Sequence, residues 1–326
     1  MPRLGAAASG LAALLLVGAV AVIPVFGLLI APLGALPVLR FQAGGARGVR
    51  AWGPVTALLA VLAGAGVLVE YTVPLLVFYV LVVVVPAVSV QAWVRRSWSE
   101  GRWTAATVLA ATLCCVVGIV IAAAPQPPLE AISDVVRASL AETTRIYTEW
   151  GMERGDLELA MDGIQRAAPS LFPGMIVAYL AAVLFWLRPR LPLLGIPVSV
   201  GPLEAYRNDD WLAAAFAVFG IAALLLGGTA RWIAVNLLVA VLILYFVQGL
   251  AMIRAHLARW VGRGLVLRWG VGFVFVWVPL VLCASGVTDP AAGLAGEAML
   301  IVVVALGVAD NFFTLRPRAD DDGGTE

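Results

Sequence analysis

Few side chains in this sequence can do chemistry inside lipid, and each of them interrupts an apolar run. Glu297 lies in GLAGEAMLIVVVALG, one to two turns into the last apolar span. A bare carboxylate there is costly unless it is protonated, paired or hydrated. Such an acid can couple a substrate to a proton, with Arg231 at the outer end of another span as its partner, or it can be a structural acid at interface level. Gln248 stands beside Gly249 in LYFVQGLAMI. Its amide offers two donors and an acceptor, and the glycine lets another backbone come close. The pair reads either as a ligand contact or as a helix crossing with a hydrogen bond worth about 0.6 to 2 kcal/mol. Tyr245 shares a helix face with Gln248, whereas Asn236, nine residues before Tyr245, falls roughly opposite it, so no single lining face includes all three. Asp310 closes the last span in GVADNFFTLRPR, and Arg316 and Arg318 after it make a helix-end ion pair the ordinary reading. Pro32 and Pro37, in IPVFGLLIAPLGALP, break a membrane helix and release backbone groups that can line a cavity. The candidate ligand-binding set is therefore Glu297, Gln248, Tyr245, Asn236, Pro32 and Pro37, with Gly249, Asp310 and Arg316 assigned to packing or ion pairing.

Catalytic chemistry finds little to work with. The sequence has no Walker loop, no GxSxG elbow, no HExxH and no GxGxxG between a strand and a helix. Cys114, Cys115 and Cys283 sit in apolar runs without the paired spacing of a zinc site or a disulfide framework. His256, the one histidine, falls in what reads as a basic loop and has no second histidine or nearby cysteine. No catalytic residue, metal site or cofactor is expected, and the chain is read as a non-enzyme.

The elements that must position these residues are membrane helices. Of 326 residues, 62% are hydrophobic and 13% charged, with a mean hydropathy of +1.00. A soluble domain of this length cannot hide that much apolar surface, so the solvent for most of it is lipid. A net charge of +1 implies no strongly basic face for nucleic acid. Measured against the roughly 20 apolar residues that a crossing needs, spans fall near 52–69, 72–94, 103–123, 170–187, 211–227, 230–253, 268–286 and 291–310. The basic residue before the first apolar run resembles a signal peptide, but the run continues to Leu39 and is kept as membrane. With Pro24, Pro32 and Pro37 in it, this stretch reads as a helix to about Ile23 and a second, broken piece. The expectation is an all-α polytopic bundle of about nine or ten membrane segments.

Arginine marks the cytoplasmic side. Arg40, Arg47 and Arg50, then Arg95, Arg96 and Arg102, then Arg188, Arg190 and Arg207, then Arg254 to Arg268, and finally Arg316 and Arg318 fall on one side of this span list. Both termini are then cytoplasmic. The 124–169 connection lies outside, carrying an amphipathic stripe of Ile132, Val136, Leu140, Tyr147 and Trp150, an interruption at GMERGD, and eight acids against four arginines in 129–167. It reads as an acidic external cap. The domain order is a membrane bundle over 1–123, the cap over 124–169, a membrane helix at 170–187, a Pro- and Gly-rich linker at 188–210, further membrane helices over 211–318 and a disordered acidic tail at 319–326.

The segments PLGALPVLR with the following GARGVRA turn, APSLFPGMIVAYL, YFVQGLAMI and the closing GVADNFF with its arginines resemble the YybS-like family of bacterial multi-pass membrane proteins, over roughly residues 10 to 318. That family is defined by a domain of unknown function, so the likeness implies architecture before activity. It is similar in turn to the substrate-binding S components of energy-coupling-factor transporters, which bind vitamins or comparable small molecules and dock on a partner through small residues of the first helix. Ala8 and Ala12 have such spacing, and this chain continues past the S-component length after its linker. The implied function is an inner-membrane protein that binds or helps translocate a small molecule or lipid-like compound, as a transporter subunit without its own ATPase. The rival is a non-catalytic membrane scaffold with a protein partner. The implied partners are the lipid bilayer, a small-molecule substrate, and a membrane protein or energising ATPase.

Overall fold

The computed structural model describes residues 6–22, 27, 30–43, 78–149, 154–261, 270–271, 273–285 and 290–313. Within them the elements are helical, and the chain is an all-α membrane bundle. The expected span at 52–69, the residues Pro24, Arg316 and Arg318, and the tail lie outside the described residues. Among the described residues, four stretches are long and apolar enough to cross a bilayer: Glu100–Ala123, Phe172–Arg190, Gly228–Ala258 and Ala291–Phe313. The chain divides into two compact units, 1–111 with 179–200, and 112–178 with 201–326.

In the first unit, α1 (Ala6–Val22) packs with a 3-10 turn at Ala31–Gly34 and with α2 (Ala35–Ala43). The break expected around Pro32 is this turn, and both Pro32 and Pro37 are half-buried. A π turn at Val80–Val84 leads into α3 (Val85–Arg96), which ends at Ser97 in the left-handed region. Ser99 then caps α4 (Glu100–Ala123), its hydroxyl accepting from the Arg102 amide at 3.1 Å. Trp103 on α4 stacks on Trp93 of α3 with centroids 4.4 Å apart. Arg188 meets Glu100 through two contacts, Nη2 donating to Oε2 at 3.0 Å and Nε facing Oε1.

In the second unit, α5 (Pro128–Glu149) is the amphipathic cap helix. Its Ile132 packs with Val116 of α4 and with Trp232. Next, α6 (Arg154–Leu187) runs without a break through the boundary expected at 169–170, so the end of the cap and the membrane helix are one 34-residue element. Apolar packing on one side of a helix continues as long as the backbone hydrogen bonds do, and composition alone places no boundary there. A linker of three 3-10 turns leads to α7 (Trp211–Leu225), and a turn at Gly228, with φ of +55°, reverses the chain into α8 (Gly228–Val261). At 34 residues α8 rises about 51 Å, well over the roughly 30 Å of a hydrocarbon core. Arg254, His256 and Arg259 therefore stand on its last turns, which corrects the basic loop expected there. A π turn at Phe273–Trp277 precedes α9 (Val278–Ser285), and α10 (Pro290–Phe313) follows.

The two π turns share a cause. Pro86 and Pro279 each lack an amide N–H, and a proline ring in a regular α-helix would clash with the carbonyl four residues earlier, here Val82 and Phe275. Both carbonyls lie inside the π turns, where the widened coil makes room.

Candidate functional site

Several polar side chains of the second unit gather at the arginine-rich end of α8 and α10. These two helices approach closely because each offers a glycine. A Cβ on Gly249 would fall 1.9 Å from the Val303 carbonyl oxygen, and one on Gly307 would fall 1.9 Å from that of Tyr245. Only glycine fits either position. The buried stripe of α10 runs Gly293, Gly296, Val303, Gly307 and Asp310, so the close approach also carries Asp310 into the interior, at 2% exposure.

Gln248, fully buried, sits at the centre of what results. Its Nε2 donates to Asp310 Oδ2 at 2.9 Å and to Asn311 Oδ1 at 2.9 Å, and its Oε1 accepts from the Asn208 amide at 3.1 Å. The Asn208 side chain donates to the Leu244 carbonyl at 3.1 Å and accepts from the Tyr206 hydroxyl at 2.7 Å. Asn311 closes the ring, donating through Nδ2 to the Tyr245 hydroxyl at 3.2 Å while its carbonyl accepts from Arg207 Nη2 at 3.3 Å. An unsatisfied polar group in hydrocarbon costs several kcal/mol, so a cluster of this kind is tolerable only when its members satisfy one another. One turn and a half beyond Gln248, Arg254 Nε donates to Glu204 Oε1 at 2.7 Å, both side chains being largely buried. The 201–210 segment is thus held to α8 at Glu204 and at Asn208.

Not every candidate joins this cluster. Asn236 is buried 12 residues, about 18 Å, back along α8. Its Nδ2 donates to the Trp232 carbonyl at 2.9 Å and its Oδ1 accepts from the Gly174 amide at 3.2 Å, a helix-to-helix bond of its own. Glu297 is exposed on α10, 13 residues or about 20 Å from Asp310, and forms no ion pair with Arg231 among the described residues. Pro32 and Pro37 belong to the other unit. Tyr206, Asn208, Asn311 and Glu204 were not singled out in the sequence. All except Asn311 lie in the linker and had no helical spacing to betray them, although Asn311 directly follows Asp310.

Beside the cluster lies an open groove of about 640 Å³. Helices α7 and α10 both pack on α8 and leave a trough between them, floored by Leu242, walled by Phe216 of α7 and by Ile301, Val304, Val308 and Phe312 of α10. Its extent along α10, from Leu300 to Phe313, is about 20 Å. Phe216 stands edge-on to Tyr245 with centroids 6.0 Å apart, so the groove wall rests directly on a member of the polar cluster. The lining side chains of the trough are all apolar, with no titratable group among them. Among the described residues no group of three or more His, Cys, Asp or Glu is placed to hold a metal.

The model of a family described as predicted membrane protein (DUF2232) matches residues 11–290. The chain belongs to the DUF2232 family. No curated protein and no solved structure matches it. The DUF2232 match includes α8 with Tyr245, Gln248 and Gly249, the linker with Asn208, and the groove residues Phe216 and Leu242. It ends where α10 begins, so the partners Asp310 and Asn311 lie beyond the matched region.

Proposed function

We propose that this protein is an inner-membrane binding subunit, without an ATPase of its own, that holds a lipid-like compound in the groove between α7 and α10. The observation that carries the proposal is the groove itself, a trough of about 20 Å lined wholly by apolar side chains and open on one side. The arginine rule supports placing its Phe312 end in the cytoplasmic leaflet, beside Arg207 and Arg254. The likeness of the sequence to YybS-like proteins and to transporter S components supports a role in substrate binding, with energy supplied by a separate partner. The role proposed is binding, not catalysis.

Filling the groove tests this. Ala305 is exposed on α10 and lines the trough, so Ala305→Trp places an indole where a chain would lie. Gentle extraction followed by native mass spectrometry should show co-purified lipid retained by the wild type and by a Leu224→Trp control, whose site on α7 is 83% exposed and outside the groove. Retention should fall several-fold in Ala305→Trp. Equal retention in all three would overturn the proposal.

A scaffold role is favoured by a different observation, the internal satisfaction of the Gln248 cluster, which offers its hydrogen bonds to the chain itself. That reading expects a stoichiometric protein partner in the same spectra and no dependence on Ala305.

A further inference from the structure

Within a bilayer the tail of a lipid gains little by leaving other tails for an apolar groove, because both surroundings are hydrocarbon. Selection among lipids must therefore come from the headgroup end. At the Phe312 end of the groove the Arg207 guanidinium donates to the carbonyl of Asn311, the residue next to Phe312, and remains 45% exposed. Asp210 lies beside it, with Oδ1 at 3.8 Å from Arg207 Nη2, too long for a hydrogen bond, and its side chain is 91% exposed. Trp211, 38% exposed, follows at the start of α7, a side chain suited to headgroup level. Glu204 and Arg254, also at this end, are engaged with each other. Among the described residues the mouth thus presents Arg207 beside Asp210, with Asp209 half-buried next to it in the chain.

We infer that this mouth selects a phospholipid whose headgroup carries both a phosphate and a primary ammonium, the phosphate taken by Arg207 and the ammonium by Asp210. The inference rests on the groove reading above. A purely anionic glycerol headgroup satisfies Arg207 but brings its charge against Asp210. A choline headgroup has the right charges but no N–H to donate to the Asp210 carboxylate. The ethanolamine headgroup satisfies both, since its ammonium is one two-carbon linker away from its phosphate.

The test reconstitutes the full-length chain in vesicles of equal parts phosphatidylethanolamine, phosphatidylglycerol and phosphatidylcholine, extracts it gently and counts retained lipids by native mass spectrometry. The wild type should enrich phosphatidylethanolamine roughly two- to fivefold over each of the others, the ratio that one exposed ion pair supplies. Asp210→Asn should abolish that enrichment with total retention unchanged. Arg207→Gln should lower retention of all three, and Arg207→Lys should restore most of it, which separates a headgroup contact from a folding defect. Retention that depends on Ala305 but shows no preference for phosphatidylethanolamine would overturn the headgroup inference and leave the groove standing. Retention that ignores Ala305→Trp would overturn both.

Discussion

Gln248 uses both its donors and its acceptor, on Asp310, Asn311 and the Asn208 amide. Its replacement should therefore cost more than one average membrane hydrogen bond. Gln248→Leu keeps the volume but leaves Asp310, Asn311 and the Asn208 amide without that partner, and thermal unfolding in detergent should show a loss of about 1–3 kcal/mol. A variant as stable as the wild type would mean that water or another side chain fills the role. At this scale the sequence was informative where a polar residue interrupts a span, since burial in lipid makes such residues expensive: Gln248 and Tyr245 stand out for that reason, whereas Asp310, at the end of its span, reads as a helix-end ion pair. Asn208 and Tyr206 were not, because a polar residue in a Pro- and Gly-rich linker is ordinary. Their burial depends on the linker folding back on α8, which no local pattern encodes. Glu297 shows the opposite limit, since an interrupted span says that an acid is costly but not which way it faces.

The helix pair α8–α10 owes its closeness to two glycines. Gly249→Ala and Gly307→Ala should each lower stability by about 1–3 kcal/mol, the usual penalty of forcing atoms into a packed contact, because the added Cβ meets backbone oxygen and cannot be accommodated by rotating a side chain. At Gly118 and Gly220 an added methyl would meet nothing within 4 Å, so the same change there should be neutral or stabilising by up to about 1 kcal/mol through helix propensity. Equal effects at all four positions would show that the pair is not held as described. Within the described residues, helix existence was well signalled by runs of apolar residues. Helix length was signalled less well: α6 and α8 both exceed their expected spans, because a helix continues past the lipid wherever its neighbours still bury one face.

For the molecule as a whole, the arginine pattern makes a claim about sidedness that chemistry can check. In a chain with Cys114, Cys115 and Cys283 replaced by serine, Glu130→Cys on α5 and Leu193→Cys in the linker, both at exposed positions, should label oppositely. A membrane-impermeant maleimide added to intact spheroplasts should modify the first and reach the second only after permeabilisation; the reverse pattern would invert the proposed topology. The amino-acid sequence by itself determined that this is an all-α membrane protein, because hydropathy and span length depend only on composition along the chain. The tertiary structure decided which polar residues meet, since Gln248, Asp310 and Asn208 are brought together from three separate segments by the glycine contact of α8 with α10 and by the returning linker. It also decided that a groove opens beside them, because a trough between two helices packed on a third exists only once all three are in place.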